Sequence, residues 1–264
     1  MAGTVLLPAP FALNSVRLGQ LLSDPLDPSA ASYIAASTII GRKEPHVQPS
    51  YKELIAHDDE GRFVSTLSGR PLSPSQENLL MVNADHMEYI SLKNPSTAFD
   101  TLSHDPVAQT WLCEMAQRRQ PLYYVVGLQK LKNPTFKRAI VKEGSIAEAD
   151  ANPKIRFSMH VRRDSAMDLE EEENGSDAVL GIEVRKVKCW LGRTEEPHSL
   201  DDIDYSWSYR MLDGEVQMCT GLGKALGQEE MRVLAGIAAE EDTDTSYESY
   251  YDISEDEDEG LAGF

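Results

Sequence analysis

The ten residues Leu122 to Leu131, LYYVVGLQKL, constrain this chain more than any other stretch. They are dense in aromatic and β-branched side chains, which pack well on a pleated surface, and so predict a buried strand. Just upstream, Asp105 stands before Pro106, an N-cap followed by proline at the first helical position. Val107, Trp111, Leu112 and Met115 then recur at helical spacing, predicting a helix over Asp105 to Gln120 that Pro121 closes. A helix leading into a buried strand calls for a protein of mixed α and β structure, and 264 residues that are 41% hydrophobic suffice for its core.

The other elements are shorter. Phe11 to Leu22 and Tyr33 to Ile40 read as elements parted by the turn signal Asp24-Pro-Leu-Asp-Pro28. Pro45 to Pro74 is polar and broken by Pro45, Pro49, Pro71, Pro74, Gly61 and Gly69, so it reads as loop with short helical pieces. Leu79 to Val82 and His86 to Leu92 read as two strands, followed after the central helix and strand by Phe136 to Val141, Ile155 to Val161 and Val179 to Leu191. In Ile155 to Val161, apolar Ile155, Phe157, Met159 and Val161 share one face and Arg156, Ser158, His160 and Arg162 the other. In Val179 to Leu191, Ile182 and Val184 differ in parity from Val187, Cys189 and Leu191, predicting a bulge near Arg185 and Lys186. Glu170 to Glu173 lie in a solvated loop. Asp213-Gly214 marks a hairpin within Tyr205 to Met218, and Gln228 to Ala239 reads as a last helix after a flexible turn over Gly221 to Gly227.

Charge is unevenly spread. From Glu240 to Phe264 there are eleven acidic residues and no Lys or Arg, so this stretch holds −11 of the net −19 and leaves −8 for the other 239 residues. Such a composition predicts a disordered acidic tail, 240–264, behind a folded domain, 1–239. Between Arg118 and Arg163, by contrast, eleven Lys and Arg face three acids. Basic residues alternating with apolar ones on strands suit anionic lipid headgroups, or pairing with Glu170 to Glu173 and with the tail. Nucleic acid is disfavoured as a partner by the acidic whole and by the lack of a helix-turn-helix or RNP-like signature.

Chemistry-bearing motifs are missing. Gly221 to Gly227 has neither the GxxxxGK[ST] order nor the GxGxxG spacing of phosphate loops, and no GxSxG or HExxH occurs. The six histidines are scattered, and Asp201-Asp-Ile-Asp204 lacks the glycine and closing glutamate of a calcium loop. Cys113, Cys189 and Cys219 have no metal-like spacing and fit free thiols of a reducing compartment, as does a start without a signal-peptide pattern. No enzyme, cofactor or metal centre is expected. No apolar window reaches the length of a membrane-crossing helix, while the weak alternation of a membrane-crossing hairpin stays possible.

Three blocks taken together carry a resemblance: Phe11-Ala-Leu-Asn-Ser-Val-Arg-Leu-Gly-Gln-Leu-Leu with Asp24-Pro; Trp111-Leu-Cys-Glu with Leu122-Tyr-Tyr-Val-Val-Gly-Leu-Gln; and Gly181-Ile-Glu-Val-Arg-Lys-Val-Lys. Over about residues 11 to 191 the chain resembles the fungal gasdermin-like regulators of cell death, which include heterokaryon-incompatibility proteins. The resemblance implies an α+β fold, a twisted, mainly antiparallel sheet with flanking helices. It also implies that two regions, by position about Val47 to Leu92 and Thr135 to Leu191, refold as amphipathic hairpins lining an oligomeric pore. Acidic phospholipids would be the membrane partner, and a homo-oligomer or a hetero-oligomer with a divergent family member the assembly. The protein would be cytoplasmic at rest and at the plasma membrane, or another acidic-lipid membrane, when active. Charge and spacing make Lys130, Lys132, Lys137, Arg138, Arg156, Arg162 and Arg163 the lipid-contact candidates. The alternative is a soluble regulatory interaction module whose acidic tail recruits a partner.

Overall fold

In a computed structural model, residues 3–35, 41–67, 78–142, 145–148, 177–193, 207–212 and 216–237 are described. Strand β7 (Leu122–Lys132) is the spine: Leu122 to Leu128 are buried without a break, because it has a neighbour on each edge and packing on both faces. Its neighbours are β6 (Leu79–Ser91) and β10 (Ala178–Arg193), both antiparallel to it. The sheet continues from β6 to β4 (His46–His57) and β5 (Phe63–Thr66). From β10 it continues to β12 (Val216–Ala225) and β11 (Trp207–Leu212). Also joined are β1 (Val5–Ala12) on β10, β2 (Leu21–Leu22) with β3 (Ser32–Tyr33) beside β7, and the pair β8 (Thr135–Lys142) and β9 (Ser145–Glu148) beyond β6. All these pairings are antiparallel, so the fold is a mainly antiparallel sheet with flanking helices, α+β as expected.

Two helices follow β6: α1 (Pro95–Ser103) and α2 (Pro106–Gln117). Asp105 caps α2 by accepting from the Ala108 N–H at 3.1 Å, and the Tyr33 hydroxyl donates to the same carboxylate oxygen. That hydroxyl and the Ala108 amide together hold the Asp105 carboxyl below the usual carboxylate range. Phe99, Leu102, Ala108, Leu112 and Met115 press α1 and α2 into the main core with Tyr124, Val126 and Val184. The third helix, α3 (Gln228–Leu234), is fastened to β1: its Gln228 amide accepts from the Leu6 N–H at 2.6 Å and donates to the Leu6 carbonyl at 3.2 Å, acting toward β1 as another strand residue would.

Four sequence readings need correction. Phe11 to Leu22 is not one element but the end of β1, a turning stretch and β2. Pro45 to Pro74 contains no helical piece among its described residues; it holds β4 and β5. The first half of β4, His46 to Ser50, is exposed, so its composition looks like loop, and Pro49 is tolerated because β5 joins β4 only from Ile55 onward. Leu79 to Val82 and His86 to Ser91 belong to one 13-residue strand, β6, and Leu92 lies just beyond it. Gly221 and Gly223 lie inside β12, not in a flexible turn; a Cβ on Gly223 would stand 3.3 Å from the Lys186 carbonyl oxygen of β10, so the glycine permits close approach. The bulge anticipated near Arg185 and Lys186 is present as a register shift between Arg185 and Val187 against β12, and β11 pairs antiparallel with β12 up to Leu212 opposite Val216. Ile155 to Val161, Glu170 to Glu173, Asp201 to Asp204 and the tail 240–264 lie outside the described residues.

Candidate functional site: a basic side of the sheet

The basic candidates sit where β6, β7 and β8 meet. Strand β6 pairs with β7 from His86↔Lys132 to Ser91↔Gly127 and with β8 from Leu79↔Ala139 to Asn83↔Thr135. The register is the same in both pairings, so β7 and β8 are one long partner of β6 interrupted only at Asn133 and Pro134. On the other edge of β6, β4 holds one register from His46↔Tyr89 to Ala56↔Leu79.

The side occupied by each residue does not follow simple alternation along this ribbon. One core cluster takes Leu80, Val82 and Ala84 from β6 and then Met87, three residues on instead of two. From the other strand it takes Leu131 and then Phe136, five residues on. Both strands therefore slip by one in their alternation at Asp85 and at Asn133-Pro134, while their mutual register is kept. Lys130 is in register with Glu88 and Lys132 with His86, on the side away from that cluster. Lys137 is opposite Met81, whose neighbours Leu79, Leu54 and Ala139 form a separate core cluster on that same far side. Arg138 is opposite Leu80 and lies on the side of Leu80 and Val82.

The structure thus brings Lys130, Lys132 and Lys137 onto one side and puts Arg138 on the other; Arg156, Arg162 and Arg163 lie outside the described residues. Lys132, Lys137 and Arg138 are exposed and Lys130 is half-buried. Lys132 is engaged: its ammonium lies 2.9 Å from Asp177, which also accepts from the Asn133 N–H at 3.4 Å. Sequence reasoning missed Lys52, an exposed residue of β4 in register with Asn83 and on the same side as Leu54 and Lys137. No motif marks it; only the strand pairing does.

Across the sheet from these lysines runs a polar lacing that depends on two glycines. The Tyr89 hydroxyl on β6 donates to Glu183 on β10, passing over Gly127 of β7, where a Cβ would come within 2.8 Å of that hydroxyl. Burial first, then the bond to Glu183 and its charge, push the Tyr89 hydroxyl up to about 12. Likewise a Cβ on Gly181 would stand 2.8 Å from the Gln129 side-chain oxygen and 2.9 Å from the Val5 carbonyl oxygen. Gln129 also donates to the Tyr51 hydroxyl at 3.3 Å. These groups join β4, β6, β7, β10 and β1 but bring no nucleophile beside a base.

Cys113 and Cys189 are half-buried thiols, and burial pushes both up, Cys189 to about 12. Cysteines so desolvated are poor nucleophiles. Among the described residues no group of His, Cys, Asp or Glu is placed to hold a metal, and no helix is long and apolar enough to cross a membrane.

No protein-family model and no curated protein matches the chain. Among solved structures, a bacterial gasdermin from Bradyrhizobium tropiciagri is similar at 12% identity, covering 81% of this chain and 85% of that one, with a TM-score of 0.29. A likeness of that size decides neither fold nor function.

Proposed function

We propose that this chain is a gasdermin-like pore-forming effector of regulated cell death, which binds acidic phospholipids and oligomerises into a β-barrel in the membrane. The block resemblance suggests the reading. The observation that carries it here is the one-sided placement of Lys52, Lys130, Lys132 and Lys137 on a long antiparallel ribbon in which β4, β6 and β8 belong to the segments that the resemblance marks as refolding and β7 lies between those segments. Lysines on one side can meet a headgroup layer together, each contributing about 1 kcal/mol near an anionic surface. A closed barrel is one of the two ways in which a backbone crosses a bilayer with its hydrogen bonds satisfied.

In this reading the protein rests in the cytoplasm and acts at the plasma membrane or another acidic-lipid membrane. Activation is co-assembly with a divergent family member rather than proteolysis. No residue is assigned a catalytic role. The test is dye release from liposomes with and without cardiolipin or phosphatidylserine, with this protein alone and mixed with such a relative. Leakage that needs acidic lipid and appears on mixing is the expected result. Absence of both leakage and lipid binding would favour the second reading, an interaction module, for which the −11 carried by residues 240–264 is the supporting observation.

A further inference from the structure

Ser50, Asp85 and Asn133 form a straight row across three adjacent strands: the registers of β4 with β6 and of β6 with β7 and β8 place Ser50 opposite Asp85 and Asp85 opposite Asn133. Two of the three have left-handed backbones, Ser50 at φ 51° and Asn133 at φ 46°. Such values are costly for any residue with a Cβ, and asparagine tolerates them best. Two of its members are tied together. Asn133 donates its side-chain N–H to Asp85 at 2.6 Å and its backbone N–H to Asp177, while Pro134 next to it has no N–H to give.

An ordinary bulge adds a residue to one strand and shifts its register. Here the register survives and the alternation slips in β6 and in β7–β8 at the same row. A line of this kind is a crease: the pleat is interrupted at one height across neighbouring strands. On one side lie Tyr51 to His57, Leu79 to Ala84, β5, β8 and β9; on the other lie β7, His86 to Ser91 and β10.

We infer that the row Ser50–Asp85–Asn133 is a hinge in a continuous sheet, so that the lobe of β5, β8, β9 and the adjoining halves of β4 and β6 opens as a unit, parting Ile55, Phe63, Leu80 and Val82 from Met87, Leu131 and Leu180, with which they share a core cluster, and Tyr51 from Gln129, while the β7–β10 body stays closed. The hinge stands independently of the pore-forming reading; only its use in membrane insertion would rest on that.

Hydrogen exchange on the full chain without lipid tests it. The expected result is that β6 exchanges as two units, residues 79–84 moving with 135–139 and 51–57, and residues 86–91 with 122–131. Ser50 is exposed, so substituting it isolates the backbone effect. Ser50→Gly, which accepts a positive φ, should slow lobe exchange by about tenfold, and Ser50→Val should speed it by a similar factor, with the body unchanged in both. If Ser50→Val does not fold, Ser50→Ala should sit on the fast side of Ser50→Gly. Exchange of β6 as one unit from end to end, or an equal effect on lobe and body, would overturn the inference. Because the readout needs no membrane, a negative liposome experiment leaves it intact, and a negative exchange experiment leaves the pore reading to its own test.

Discussion

Removing charge from one side of the ribbon should weaken lipid binding, and removing it from the other should not. Lys52 and Lys137 are the informative pair because both project from the lobe on the side away from Leu80 and Val82. Lys132 is a poorer probe, since Asp177 at 2.9 Å already offsets its charge, and Lys130 stands opposite Glu88. At about 1 kcal/mol per charge, Lys52→Gln with Lys137→Gln should lower affinity for phosphatidylserine vesicles by about 2 kcal/mol, roughly 30-fold. Arg138→Gln, next to Lys137 in sequence but on the opposite side, should change binding less than threefold. Co-sedimentation with vesicles of graded phosphatidylserine content measures both. The difference should shrink in high salt, where the screening length falls from about 8 Å to about 3 Å. Equal losses from Arg138→Gln and the double variant would refute the side assignment, and no loss from either would remove the sheet from lipid recognition altogether.

Gly181→Ala should cost about 1–3 kcal/mol in denaturant unfolding, because the new methyl meets the Val5 carbonyl oxygen, which is backbone, as well as the movable Gln129 side chain. Gly127→Ala meets the Tyr89 hydroxyl and Glu183 side chain instead, so combining it with Tyr89→Phe should recover part of its loss. For Tyr89 the folded value, about 12, lies above the ordinary 10, so its contribution is fully present below pH 10 and is lost as pH rises toward 12. Melting temperatures followed over that window should fall less steeply in Tyr89→Phe. Deleting residues 240–264, which carry −11, should raise lipid binding at low salt, and the gap from the full chain should close as salt rises; a gap that ignores salt would count against charge as its cause.

Elements with a strong local signal were legible in the sequence. The run Leu122 to Leu131 is β7 because continuous apolar β-formers have few alternatives. Asp105-Pro106 starts α2 because the Asp105 carboxylate accepts from the open Ala108 N–H while Pro106 has no N–H to leave open. The parity change around Arg185 betrayed its bulge. Strand β4 hid because half of it is exposed and carries Pro49, and its strand character comes from pairing with β6 rather than from its own residues. The basic side hid for a different reason. Counting parity would group Lys130, Lys132 and Arg138, all even-numbered, and leave Lys137 apart. The slip at Asn133-Pro134 exchanges the last two, and nothing in Lys-Asn-Pro-Thr distinguishes a slip from a hairpin turn.

That slip also bears on which part of β6 can enter a bilayer. A membrane strand needs about 9–11 residues of unbroken alternation. Strand β6 has thirteen residues, but Asp85 divides them into runs of six, neither sufficient alone. Ironing out the slip would not produce one amphipathic strand: it would set His86 and Glu88 on the same face as Leu80, Val82 and Ala84, and a carboxylate facing lipid is unfavourable. With the slip kept, Leu80, Val82, Ala84, Met87 and Tyr89 share a side. In the pore-forming reading, therefore, the lobe half of β6 is the part that extends into lipid, drawing its added length from residues before Leu79, and the half after Asp85 remains outside the hydrocarbon. A polarity-sensitive fluorophore attached at Val82 should shift to the blue on binding vesicles, and the same fluorophore at Met87, on the same side but beyond Asp85, should not. A blue shift at Met87 equal to that at Val82 would mean that the strand inserts across the crease, and the division of β6 into inserting and non-inserting halves would be wrong.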